Sequence, residues 1–136
     1  MHLIVDGYTE NKEILKDERA LRALLDRLPS RIKMTKISEP FITRYVGSVP
    51  EDWGISGFVI IAESHIAVHT FVERRYVNID VFSCKDFDVN WVSDTLKDQF
   101  QLKEARCQLI DRDWTTFVPS ELNKVYEPVV LDERQR

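Results

Sequence analysis

Three reactive groups fall within one apolar, strand-rich stretch: Ser64, directly after Glu63; His69, five residues on; and Cys84, twenty residues on. A serine hydroxyl can attack the carbonyl that precedes it and turn the amide into an ester. Elimination and loss of ammonia then leave a ketone at the head of a new N-terminus. An imidazole accepts and returns protons near neutrality, and a thiol cycles between donor and thiolate in the same range. Together these groups are an inventory for making a cofactor from the chain's own backbone, starting at the Glu63-Ser64 bond.

The elements that must position them are readable nearby. Ile66 to Phe71 and Tyr76 to Phe82 are β-branched and aromatic runs separated by Val72-Glu73-Arg74-Arg75, which predicts a hairpin with a four-residue connection. Setting Phe71 opposite Tyr76 pairs Thr70 with Val77, Val68 with Ile79 and Ile66 with Val81, and strand alternation gathers these on one apolar face. The other face carries Ala67 opposite Asp80, His69 opposite Asn78, Phe82 and, if the strand continues, Cys84. His69 and Cys84 are therefore expected on the same side of the sheet, as a shared site requires.

The stretch resembles the self-processing region of S-adenosylmethionine decarboxylases of the small prokaryotic and archaeal type. Ser56, Glu63, Ser64, His65, His69, Thr70, Glu73, Asp80, Phe82 and Cys84 match that family's pattern at its spacing. The likeness extends to His2-Leu3-Ile4-Val5-Asp6-Gly7-Tyr8 and to Ser38 through Gly54, about residues 2 to 112 in all. The resemblance implies self-cleavage into 1–63 and 64–136, with Ser64 becoming a pyruvoyl cofactor and Glu63 the new C-terminus. It further implies that His69 handles protons, Ser56 assists processing by hydrogen bonding, and Cys84 returns a proton to the substrate's Cα. The chemistry agrees: decarboxylating an α-amino acid needs a carbonyl-like electron sink. Pyridoxal phosphate would need a phosphate cradle, and four glycines without a Gly-rich loop provide none.

A sulfonium nucleoside substrate calls for an aromatic surface and an acceptor for the ribose. The resemblance points to Tyr45 first, Trp53 in reserve, and Glu73 as the carboxylate near the site. Two departures stand out: Val72 where many members have Pro, and Lys85 where many bacterial members have Gly. Both flank the reacting groups. They leave open a substrate shift to arginine or ornithine, or an unprocessed homologue that serves as a binding or regulatory partner.

Length and charge agree with one compact enzyme domain spanning 1–136. A formal charge of −4 argues against nucleic acid, and neither a metal nor a membrane partner is expected. Cys84 and Cys107 are too few and too far apart for a disulfide framework, and a cytoplasmic location is expected. The pattern predicts strands at 2–8, 35–46, 57–62 and 105–111 besides the hairpin. Helices are predicted at 17–28, capped by Asp17 and stopped by Pro29, and at 88–101, capped by Asp88. The fold class is α+β, a largely antiparallel sheet with two helices on one face. Its other face is expected to meet a second protomer, giving an α/β sandwich homodimer. The tail from Asp113, with Trp114, Phe117, Leu122 and Tyr126, is expected to wrap the body or that partner, with 132–136 solvated.

Overall fold

A computed structural model describes residues 1–112, so the expectations for the tail lie outside the described residues. Six strands form one antiparallel sheet in the order β2-β3-β4-β5-β1-β6. They are β1 (His2–Thr9), β2 (Phe41–Tyr45), β3 (Gly54–Ile61), β4 (Ser64–Phe71), β5 (Tyr76–Phe82) and β6 (Leu102–Ile110). The predicted hairpin is present in its predicted register, with Phe71 opposite Tyr76, Val68 opposite Ile79 and His69 opposite Asn78.

Alternation decides the layers. Leu3, Val5, Ile55, Val59, Ile66, Val68, Ile79 and Val81 point to one side and are fully buried, because two amphipathic helices cover that side. Helix α2 (Glu18–Arg31) contributes Leu21, Leu24, Leu25 and Leu28, and α3 (Val89–Gln99) contributes Val92 and Leu96, all in the same core cluster. The caps are the expected ones: the Asp17 carboxylate accepts the Ala20 N–H, and that of Asp88 accepts the Trp91 N–H. Among the described residues no helix lies on the opposite face of the sheet, and Phe58 and Ile60 of β3 lie exposed there.

Four boundaries differ from expectation. Pro29 does not stop α2; it lies buried inside it, and the helix runs to Arg31. A proline this close to the end forfeits a single backbone bond, and the helix closes instead where Lys33 adopts φ 61° and the Met34 N–H reaches the Pro29 carbonyl at 2.8 Å. The strand expected over 35–46 shrinks to Phe41–Tyr45, preceded by an isolated bridge between Lys36 and Ile61. Between that bridge and the Phe41–Phe58 pair the ladder is broken; there the Ser38 hydroxyl, not a backbone carbonyl, takes the Ile60 N–H, and Pro40 has no N–H to offer. Strand β3 begins at Gly54 and β6 at Leu102, both three residues ahead of expectation. An unforeseen one-turn helix, α1 (Lys12–Leu15), is capped by Asn11.

Gly54 opens β3 because a Cβ there would run into the Thr70 carbonyl oxygen, which is backbone and cannot swing aside. Gly54→Ala is expected to destabilise the fold by about 2–3 kcal/mol, measured as a lower urea midpoint. Gly47→Ala meets only the movable Tyr45 side chain and should stay within about 0.5 kcal/mol.

Candidate active site

The bond between Glu63 and Ser64 lies at a tight turn. Strands β3 and β4 close on the Ile61–Ser64 pair, leaving only Ala62 and Glu63 to reverse the chain. Glu63 is held at φ 63°, the left-handed region that favours glycine and costs another residue about 1 kcal/mol. The residue that donates the carbonyl of the candidate scissile bond is thus strained by the turn itself.

Cys84 comes to this bond from the end of β5. Its thiol donates to the Glu63 carbonyl oxygen at 2.8 Å, and its backbone N–H donates to Ser64 Oγ at 2.9 Å. Ser64 faces the core side of β4 with Ile66, Val68 and Thr70 and is only 7% exposed, whereas Cys84 is exposed. One residue therefore holds both the would-be nucleophile and the carbonyl it would attack. A cavity of about 560 Å³ opens beside them, lined by Phe82, Ser83, Cys84, Asp86, Leu109 and Arg112 among others.

His69 and Ser56 form a second centre. They face each other across β3 and β4, and Ser56 Oγ lies 2.7 Å from His69 Nδ1 on the uncovered face of the sheet. Trp53, Glu73 and Tyr45 lie toward the same end. Trp53 Nε1 donates to Glu73 at 3.2 Å, and the Arg44 guanidinium rests 4.7 Å from the centre of the Trp53 ring. Tyr45 closes β2 opposite Gly54 and is exposed. Lys12 at 2.7 Å, with Trp53, holds the Glu73 carboxyl below its ordinary pKa. Val72 sits buried at this end and donates its N–H to the Trp53 carbonyl at 3.2 Å, a bond a proline could not make.

The expected site residues are thus divided in two within one chain. Glu63, Ser64 and Cys84 share one end of β4; Ser56, His69, Tyr45, Trp53 and Glu73 share the other. Five residues of strand separate Ser64 from His69, about 16 Å at 3.3 Å per residue, and their side chains leave opposite faces. His69 and Cys84 do not meet within one chain: alternation runs on past Phe82, with Ser83 buried and Cys84 exposed, but the Cys84 thiol reaches Glu63 at the Ser64 end of β4, the full length of that strand segment from His69.

Sequence reasoning named His65, Asp80 and Phe82 among the matching residues but did not bring His2 to them or see the cluster they form. His2 Nε2 lies 2.8 Å from the Asp80 carboxylate, and the rings of His2 and His65 both pack on Phe82, at 5.7 and 5.3 Å between centroids. Partial burial, reinforced by His2, lowers the pKa of His65. The signal was available: His2, Asp80, Phe82 and His65 all lie on one face once β1 is paired with β5 and β5 with β4.

Comparison with known proteins bears on both centres. The S-adenosylmethionine decarboxylase proenzyme of Archaeoglobus fulgidus is 30% identical over 115 residues, covering 82% of this chain and 95% of that protein. The protein of the same name from Clostridium botulinum strain Loch Maree is 33% identical over 112 residues, covering 82% and 91%. The crystal structure of an adenosylmethionine decarboxylase from Aquifex aeolicus shares the fold, with a TM-score of 0.64 at 23% identity over 82% of this chain and 92% of that one. The family model for S-adenosylmethionine decarboxylase matches residues 1–113, which take in both ends of β4 and every residue of the divided site, and the chain belongs to that family.

Proposed function

We propose that the chain cuts itself between Glu63 and Ser64 into 1–63 and 64–136 and then decarboxylates S-adenosylmethionine, the aminopropyl donor of polyamine synthesis, with a pyruvoyl group made from Ser64. The observation that carries this reading is the convergence of both Cys84 donors on one strained peptide unit. Attack of Ser64 Oγ on the Glu63 carbonyl carbon forms an ester C–O bond and breaks the C–N bond, the hydroxyl proton passing to the freed nitrogen. Charge that develops on the Glu63 oxygen meets the Cys84 thiol already donating to it. Elimination then removes the Cα proton of residue 64 to a base, forms a Cα=Cβ bond and breaks the Cβ–O bond, releasing Glu63 as a carboxylate; the resulting enamine takes up a proton at Cβ to become an imine. Water replaces the nitrogen, which leaves as ammonia. The strain at Glu63 favours each step that opens the turn.

The donor set fits the cofactor, since nothing but Ser64, its neighbours and water is consumed. Once formed, the pyruvoyl ketone supplies the electron sink that the departing carboxylate needs. Cys84 stays beside position 64, where its thiol can return a proton to the substrate's Cα. Trp53 and Tyr45 offer faces for the base and sulfonium, and Glu73 an acceptor for the ribose. A working thiol suits a reducing compartment, in line with a cytoplasmic enzyme.

A single protomer does not bring His69 to Ser64, and a second copy can. Two sheets packed through their uncovered faces, about a two-fold axis running across the strands, would set the His69 end of one protomer over the Glu63–Ser64 end of its partner, twice per dimer. Exposed Phe41, Phe58, Ile60 and Ile110 supply apolar surface for such contact. The site proposed is therefore composite, with the proton carrier and substrate platform in trans to the cleaved bond.

Three outcomes are expected. Ser64→Ala stays one chain by intact mass, and so does His69→Ala alone. Mixed together, the two restore cleavage of the His69→Ala chain in mixed dimers, because each mixed dimer holds one complete composite site; wild-type protein that stays uncut, without a hydrazine-reactive carbonyl, overturns the cofactor itself. Cys84→Ala loses the thiol but keeps the backbone N–H on Ser64, so its cleavage should slow by about tenfold, with a further loss in turnover. Carbon dioxide release should follow S-adenosylmethionine over arginine and ornithine. The ion pair of Lys12 with Glu73 shows this carboxylate accepting an alkylammonium, so release from the basic amino acids alone would reassign the substrate and leave the cofactor intact.

A further inference from the structure

The aim of Cys84 depends on the residue before it. Extending the β4–β5 register two steps past the His65–Phe82 pair would set Ser83 opposite Ser64 and Cys84 opposite Glu63. The ladder stops short of this, and the Cys84 N–H goes to the Ser64 side chain. Ser83 makes the departure. It is fully buried, its hydroxyl donates to the Lys85 carbonyl at 2.7 Å and accepts the Lys85 N–H at 3.0 Å, and Met34 Sδ packs 3.6 Å from it. Its own N–H is tied to the Met1 carbonyl at 2.9 Å, and its carbonyl accepts the N-terminal ammonium of Met1 at 2.8 Å. The hydroxyl thus closes a corner over Ser83, Cys84 and Lys85 and stands in for the ladder that ends there.

We propose that Ser83 is a positioning residue for self-cleavage: its buried hydroxyl sets the corner that points the thiol and the amide of Cys84 at the two reacting atoms of the Glu63–Ser64 unit. Ser83 touches neither atom itself. The proposal rests on the cleavage reading above, and it explains how an exposed cysteine beyond the end of a strand keeps two donors in line. Removing the hydroxyl leaves the Lys85 N–H without its partner and lets the corner relax toward a plain strand end. A shift near 1 Å suffices to misdirect both donors.

The test follows the rate at which purified precursor yields two fragments. Ser83→Ala should slow cleavage by about tenfold or more, while Ser83→Thr, which keeps the hydroxyl, should retain most of the rate. Ser93→Ala removes a comparably buried serine in α3, away from the site, and should cleave at the wild-type rate. The deciding measurement is the double variant: a residue acting through Cys84 loses much of its effect in Cys84→Ala protein. If Ser83→Ala slows cleavage by the same factor with and without Cys84, or if Ser93→Ala is equally slow, Ser83 is merely structural and the proposal is overturned. Should Ser83→Ala not fold, Ser83→Cys keeps the volume with a poor hydrogen-bonding group and is read in the same way. A wild-type chain that never cleaves removes the cleavage reading, whereas a cleaving wild type with an unaffected Ser83→Ala removes this inference alone.

Discussion

The alternation of strand β4 is the constraint on which the rest of this structure depends. A strand sends successive side chains to opposite faces, and among the described residues helices cover one face of this sheet. Ile66, Val68 and Thr70 are committed to the core, and with them Ser64; His65, Ala67, His69 and Phe71 are committed to the other side. A slip of one residue would exchange the two sets and put imidazoles under the helices, so the burial of Ile66 and Val68 also enforces where the chemistry lies. The same rise per residue that makes β4 a good central strand keeps its two ends too far apart to serve one substrate.

That separation gives the uncovered face a meaning. Apolar side chains lie there beside His2, His65, His69, Asp80 and Asn78, a mixture that neither a buried core nor an ordinary wetted face calls for. Most of the polar groups are paired, His2 with Asp80, Asn78 with Asp6 at 2.7 Å, and Ser56 with His69, while the His65 ring packs on Phe82. Among the described residues, no buried side-chain nitrogen or oxygen is left without a partner. A surface whose polar groups are already paired can be covered by a second copy with little desolvation penalty. A second copy can therefore cover this face without breaking those pairs.

Strain and restraint are concentrated at one turn. Two residues reverse the chain between β3 and β4, which forces Glu63 to a positive φ, while Cys84 clamps the carbonyl and the hydroxyl on either side of the bond that follows. A longer or glycine-bearing connection would relieve the strain but loosen the approach of Ser64 Oγ to the carbonyl. The core on one side and the Ser83 corner on the other keep the turn from relaxing.

Much of this was legible in the sequence. The hairpin register follows from Phe71 meeting Tyr76, and both helix caps follow from aspartates placed ahead of an apolar stripe, because these are local rules of spacing. The twenty-position step from Ser64 to Cys84 is likewise a hairpin length, and counting the register two steps further already sets Cys84 opposite Glu63. Other features depended on neighbours distant in sequence. Pro29 fits inside α2 because the helix ends within one turn of it, and the segment before β2 leaves the ladder because Ser38 takes an N–H from β3. The residues that suit self-cleavage, and the strands that bear them, were determined by the sequence alone. That those residues fall into two groups at opposite ends of one strand was decided by the tertiary structure, because side-chain direction and distance along β4 follow from which face the helices cover and where the ladder ends.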